Sequence, residues 1–144
     1  MRIALFQSDI QWCNIEANLF NVERVLRTYS QQIDLLILPE MFTTGFCMEA
    51  EALSEEMNGE TWSTLVSWSK IYGVAIVGSF IAKELGRYYN RAFFISPDNE
   101  YWTYDKRHLF SIGSERKCFT AGKDKIIVPY MGWNICLQIC YDLR

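Results

Sequence analysis

The chain has 144 residues, half of them apolar and 15% aromatic, with a formal net charge of −3. That composition suits a single packed domain with a real core and excludes a disordered tail. No Lys/Arg cluster alternates with aromatics, which excludes a nucleic-acid surface, and no apolar run approaches the ~18 residues that span a bilayer.

The opening Met1-Arg2-Ile3-Ala4-Leu5-Phe6-Gln7 turns polar too soon for a signal peptide. It reads instead as the first strand, over 2–10, of a cytoplasmic protein. Leu19, Val22, Leu26 and Tyr29 recur at helical spacing, so a helix is predicted over 14–29 with Asn14 as its N-cap. The continuous apolar run 34–38 is short enough for a strand buried on both faces, and Pro39 ends its ladder. Turn residues dominate 41–59, which reads as loop with a short helical turn. Trp62, Leu65, Val66 and Trp68 mark the apolar side of a second helix over 61–72, closed by Gly73.

Strands follow over 74–82, 88–95 and 100–105, the last two joined at Pro97-Asp98-Asn99, a hairpin signal. A polar loop covers 107–125, and two final strands, 126–130 and 133–140, flank Met131-Gly132. The order β-α-β-α-β-β-β-β-β predicts an α/β chain, a mixed sheet with helices on one face. Gly45 stands alone beyond the second strand, so there is no G-x-G-x-x-G and no dinucleotide cofactor is expected. The five cysteines (13, 47, 118, 136 and 140) contain no C-x-x-C pair, and His108 is the sole histidine. Neither disulfides nor a metal site is expected, and most of these cysteines read as small buried hydrophobes.

Three segments carry candidate chemistry. Glu40 directly follows Leu35-Leu36-Ile37-Leu38-Pro39, outside the carboxyl end of a strand, where ligands collect in α/β sheets and a half-buried carboxylate can accept a proton. Lys106 follows the aromatic strand containing Tyr101, Trp102 and Tyr104, and a fixed ammonium there can stabilise an oxyanion. Cys140 ends the run Ile135-Cys136-Leu137-Gln138-Ile139-Cys140. A regular strand would put Cys136, Gln138 and Cys140 on one face, and a neighbouring cation would lower the Cys140 thiol pKa and make it nucleophilic. The alternatives for the three are an exposed loop glutamate, a snorkelling lysine and a buried strand cysteine. The last describes Cys136 best.

Leu38-Pro39-Glu40-Met41-Phe42-Thr43-Thr44-Gly45-Phe46, Tyr104-Asp105-Lys106-Arg107-His108-Leu109-Phe110 and Cys140-Tyr141-Asp142-Leu143-Arg144 together resemble the three signature segments of the nitrilase (carbon–nitrogen hydrolase) superfamily, most closely its ω-amidase branch. The resemblance implies the N-terminal half of an α-β-β-α sandwich and cleavage of the amide bond of small 2-oxo acid amides through a cysteine thioester, without metal or cofactor. It assigns Glu40 as general base, Lys106 as stabiliser of the tetrahedral intermediate, Cys140 as nucleophile and Glu115 as a second glutamate that orients substrate or assists the base. Tyr141, through its backbone N–H, and Arg144 would sit against the substrate. His108 would be a supporting residue rather than the partner of Cys140. A homodimer is the expected assembly.

Family members are longer, and here only four residues follow Cys140. A single carbon–nitrogen hydrolase domain over 1–144, truncated after the nucleophile and weakly active or inactive by itself, is the expectation. Completion by another polypeptide, a non-catalytic half-domain serving as an interaction module, and an amidase or nitrilase of other substrate class stand as alternatives. The physical objection to the chain standing alone is independent of the resemblance: an end strand with nothing to cover it would fray, and an uncovered sheet face would self-associate.

Overall fold

The computed structural model describes residues 1–111 and 113–143. Its elements run β1 (Ile3–Leu5), α1 (Ile15–Tyr29), β2 (Leu35–Ile37), α2 (Ala50–Leu53), α3 (Glu60–Tyr72), β3 (Ala75–Glu84), β4 (Arg87–Ile95), β5 (Tyr101–Asp105), α4 (Glu115–Cys118), β6 (Ile127–Tyr130) and β7 (Trp133–Cys136), with a final 3₁₀ turn at Cys140–Asp142. β1 to β5 lie side by side in chain order. β1, β2 and β3 pair parallel through helical crossovers, whereas β3–β4 and β4–β5 pair antiparallel through hairpins. Crossover length decides which pairing each junction can make.

Period-2 alternation sorts the sheet's side chains onto two faces. Leu36, Ile76, Phe93 and Ile95 point to the side on which α1 and α3 bring Val22, Leu26 and Leu65. Leu35, Ala75, Ala92 and Phe94 point to the other side. There the β6–β7 hairpin, a sheet of its own rather than a continuation of the first, packs Val128 against them, and the segment that follows it adds Leu137 and Ile139. The two long helices, α1 and α3, do lie on one face, while the β6–β7 hairpin covers the opposite face.

The local chemistry of the helices follows the sequence. The Asn14 side chain accepts from Ala17 N at 3.0 Å, and α3 ends on Gly73 at φ +66°. Two strands are shorter than their patterns suggest. Beyond β1 only Phe6 N continues the ladder, donating to Ile37 O, because β2 itself ends there. β7 ends at Cys136; Leu137 N still reaches Ile126 O, after which no partner strand remains among the described residues. Cys136, Gln138 and Cys140 therefore do not share one strand face. The cysteines also depart from expectation: Cys47 is buried, Cys13 and Cys118 are intermediate, and Cys136 and Cys140 are exposed.

The predicted loop 107–125 contains α4 and folds back on the end of β5. Thr120 N donates to Tyr88 O at 2.8 Å and Gly122 N to Lys106 O at 3.0 Å. This approach is tight. A Cβ on Gly122 would lie 2.2 Å from the Asp105 carbonyl oxygen, a backbone atom that cannot swing aside. Replacing Gly122 by alanine should cost about 1–3 kcal/mol, as overpacking does, read as a lower urea midpoint at unchanged slope.

Candidate active site

Glu40, Lys106 and Glu115 come from the end of β2, the end of β5 and the start of α4, and the structure brings them together. Lys106 is 1% exposed. Its Nζ donates to Glu40 Oε1 at 2.7 Å and to Glu115 Oε1 and Oε2, both at 3.1 Å. The three donors of the ammonium are thus matched by carboxylate oxygens. The Phe46 ring centroid lies 5.4 Å from Nζ, which adds a cation–π contact. Burial works against the charge, but Glu40 first and Glu115 second outweigh it, and the Lys106 pKa is held above its ordinary value.

Glu115 is fully buried and also accepts from Phe110 N at 2.5 Å. A further residue, which the sequence reading passed over, joins the two carboxylates. Asn90, on β4, is fully buried and donates through Nδ2 to Glu40 Oε1 at 2.8 Å and to Glu115 Oε1 at 3.2 Å. Its backbone oxygen accepts from Lys106 N at 3.0 Å. One strand residue therefore holds the lysine by its main chain and both acids by its side chain. Its only sequence signal is an asparagine in the otherwise apolar inward register of β4.

Cys140 stands across from this group. It lines a cavity of about 230 Å³ together with Glu40, Gly78, Ser79, Ala92 and residues 135–139. Its backbone is left-handed, φ +43°, as is that of Met41, φ +48°, immediately after Glu40. For a non-glycine residue that conformation costs on the order of 1 kcal/mol or more and persists only where the surroundings impose it. Here Asp142 imposes it. Asp142 Oδ2 accepts from Tyr104 Oη at 2.7 Å and Ile139 N at 3.1 Å, and Oδ1 accepts from His108 N at 2.9 Å. His108 Nδ1 also lies 2.9 Å from Oδ1, so this imidazole serves the carboxylate as a supporting group. Burial opposes the Asp142 charge, but the bonds from Tyr104, Ile139 and His108 prevail and hold its pKa below the usual carboxylate value.

The Cys140 thiol does not behave as the neighbouring cation suggested. Its pKa is raised: desolvation acts first and the Glu40 charge next, against a downward pull from Lys106. Burial accounts for most of this, and the local charges add to it: two carboxylates surround the one ammonium, so its pull on the thiol is offset. Tyr141 is half-buried with its ring edge-on to Phe110, centroids 5.4 Å apart. Arg144 lies outside the described residues.

Two outcomes follow from these charges. The pH midpoint for alkylation of Cys140 by iodoacetamide should lie above that of free cysteine, fall in Glu40→Gln and rise in Lys106→Met, as followed by peptide mass spectrometry. Because the folded-state pKa of Asp142 is depressed, its contribution is complete above its unfolded value of 3.8 and is lost as pH falls through the folded value. Asp142→Asn should therefore lose about 1.5–3 kcal/mol at pH 7 and show a flatter decline in acid, measured by urea denaturation across pH.

The carbon-nitrogen hydrolase family pattern matches residues 2–144. The chain is 38% identical over 146 residues to "Omega-amidase YafV" of Yersinia enterocolitica, covering all of this chain and 56% of that protein. It is 29% identical over 145 residues to the 2-oxoglutaramate amidase of Bacillus subtilis, covering 99% of this chain and 56% of that one. The crystal structure of XC1258 from Xanthomonas campestris, a CN-hydrolase superfamily protein with an arsenic adduct in its active site, superposes with a TM-score of 0.95 at 37% identity, over 99% of this chain and 54% of that one. The chain thus spans about half the length of the relatives it matches. Among the described residues no helix is long and apolar enough to cross a membrane. With the pattern matched along almost its whole length and the fold shared, the chain belongs to the carbon-nitrogen hydrolase family, within the nitrilase superfamily.

Proposed function

We propose that residues 1–144 are the nucleophile-bearing part of a carbon–nitrogen hydrolase domain, and that the protein hydrolyses the amide bond of small 2-oxo acid amides, releasing ammonia. The observation that carries this reading is the convergence of Glu40, Lys106 and Glu115 on one buried cluster, with Cys140 and Glu40 lining the same cavity. The choice of 2-oxo acid amides rests on likeness to proteins named as ω-amidase and 2-oxoglutaramate amidase. Cytoplasmic location and assembly as a homodimer belong to the same proposal; exposed Ile127 and Trp133 on the β6–β7 hairpin supply apolar surface for such pairing.

The raised thiol pKa sets the order of events. Cys140 rests as a thiol, and Glu40 takes its proton as sulfur attacks the amide carbon. Protonation neutralises one of the two carboxylates that hold Lys106. Its ammonium is then less tightly bound and can turn a donor toward the oxyanion, alongside the backbone N–H of Tyr141. Glu40 returns the proton to the departing ammonia. It next activates water against the thioester, while Glu115 stays charged and keeps Lys106 in place. Asn90 orients both acids throughout, and Arg144 is a candidate for contact with the substrate.

Ammonia release from 2-oxoglutaramate tests the proposal, with a simple aliphatic amide and a nitrile as comparisons. The expected result is release that prefers the 2-oxo acid amide and falls to background in Cys140→Ala. Release that persists in Cys140→Ala overturns the mechanism. Equal turnover of the simple amide overturns the substrate class. Silence from a full-length protein on every substrate overturns the activity.

A further inference from the structure

Away from the active site, Cys13 and Cys47 are 34 positions apart in sequence yet in direct contact: Cys13 Sγ donates to Cys47 Sγ at 3.1 Å. Both are free thiols, Cys47 buried and Cys13 partly open to solvent. The surrounding backbone is tied in the same direction. Cys13 N donates to Thr44 O at 2.8 Å, and Asn18 Nδ2 donates to Thr43 O at 2.7 Å. The contact therefore joins the β1–α1 connection to the loop that leaves Glu40 and carries Phe46 over Lys106.

Two thiols this close with a carboxylate nearby suggest either a thiophilic metal or a disulfide. Glu49 does complete a trio of ligand atoms within 4.8 Å of one another. Distance decides between the two. Two sulfurs on one tetrahedral zinc, at about 2.3 Å each, stand about 3.8 Å apart, so this pair would have to open. A disulfide needs the sulfurs to close by about 1 Å, to ~2.05 Å.

We propose that Cys13 and Cys47 are an oxidisable dithiol that closes to a disulfide under hydroperoxide and staples the loop behind Glu40. The sulfur of Cys13, the less buried residue of the two, attacks the peroxide: an S–O bond forms, the O–O bond breaks, and the released hydroxide leaves as water with the thiol proton. Cys47 sulfur then displaces the oxygen of the sulfenic acid, forming the S–S bond and a second water. Two thiols are oxidised, and one hydrogen peroxide is reduced to two waters. Burial, then contact with Cys47, pushes the Cys13 pKa up to about 11. The pair is accordingly sheltered at neutral pH, and its oxidation should quicken as pH rises.

The test uses the Cys118→Ser/Cys136→Ser/Cys140→Ser chain, which keeps only this pair, and the intact chain beside it. Treatment with hydrogen peroxide should remove two hydrogens in mass, take the thiol count from two to zero and give a linked Cys13–Cys47 peptide from monomeric protein. The same link should be the main one in the intact chain and vanish when urea unfolds it. The oxidised form should unfold at higher urea than the reduced form. Cys13 carried to sulfinic acid while Cys47 stays a thiol would show that the sulfurs do not meet, and would sink the proposal. Both thiols surviving peroxide that consumes Cys136 and Cys140 in the intact chain would do the same. An unchanged urea midpoint after closure would remove the stapling role.

Discussion

A fully charged lysine buried to 1% exposure is the constraint around which the site is built. Burying an isolated ammonium costs several kcal/mol, and one facing carboxylate offsets this only when its geometry is good and its other lone pairs are satisfied. Lys106 meets that demand with two carboxylates from segments far apart in sequence, so the ends of β2 and β5 and the start of α4 must converge. Convergence leaves one surplus negative charge. The amide of Asn90 and the N–H of Phe110 are the neutral donors that make it tolerable.

Strand alternation links this cluster to the thiol. Tyr104 and Lys106 are two apart, at and just beyond the end of β5, and so address the same side of the sheet. Lys106 meets the acids, while Tyr104 meets Asp142, whose carboxylate holds the turn that presents Cys140. A shift in the register of β5 would disturb both halves of the site together. Gly122, pressed against Asp105 and bonded to Lys106, is one of the contacts that fixes that register.

Much of this was legible from local patterns. The helices showed through their 3.6-residue periodicity and their caps at Asn14 and Gly73, and β2 showed through its apolar run before Pro39. The candidates Glu40, Lys106 and Cys140 stood out because each follows such a run. What could not be read depends on partners distant in sequence. The end of β7 is set by where β6 begins to pair, which no pattern within 133–140 records. Asn90 looks like any polar residue in a strand until two acids arrive from elsewhere. The approach of Cys13 to Cys47 depends on the loop at Thr44 folding back on the first crossover. The expected direction of the thiol pKa failed for a related reason. The nearby cation was visible in the sequence, but burial of the thiol, and after it the carboxylates that offset the cation, exert their effect only in three dimensions.

That reversal bears on the chemistry proposed for the site. A cysteine beside a lone cation would rest as a thiolate and react with any electrophile that entered. Beside an ammonium already held by two carboxylates, a thiolate would meet desolvation first and the Glu40 charge next, and both raise the Cys140 pKa. In the proposed cycle, passing the proton to Glu40 during attack would avoid that state. Glu40 would lose a negative charge as negative charge moved onto the substrate oxygen, so the net charge of the site would be unchanged while Lys106 became freer to follow it. On that proposal the nucleophile would be activated by the arrival of a carbonyl in position to accept the charge, and the second carboxylate, Glu115, would keep the lysine charged and placed while the first was neutral.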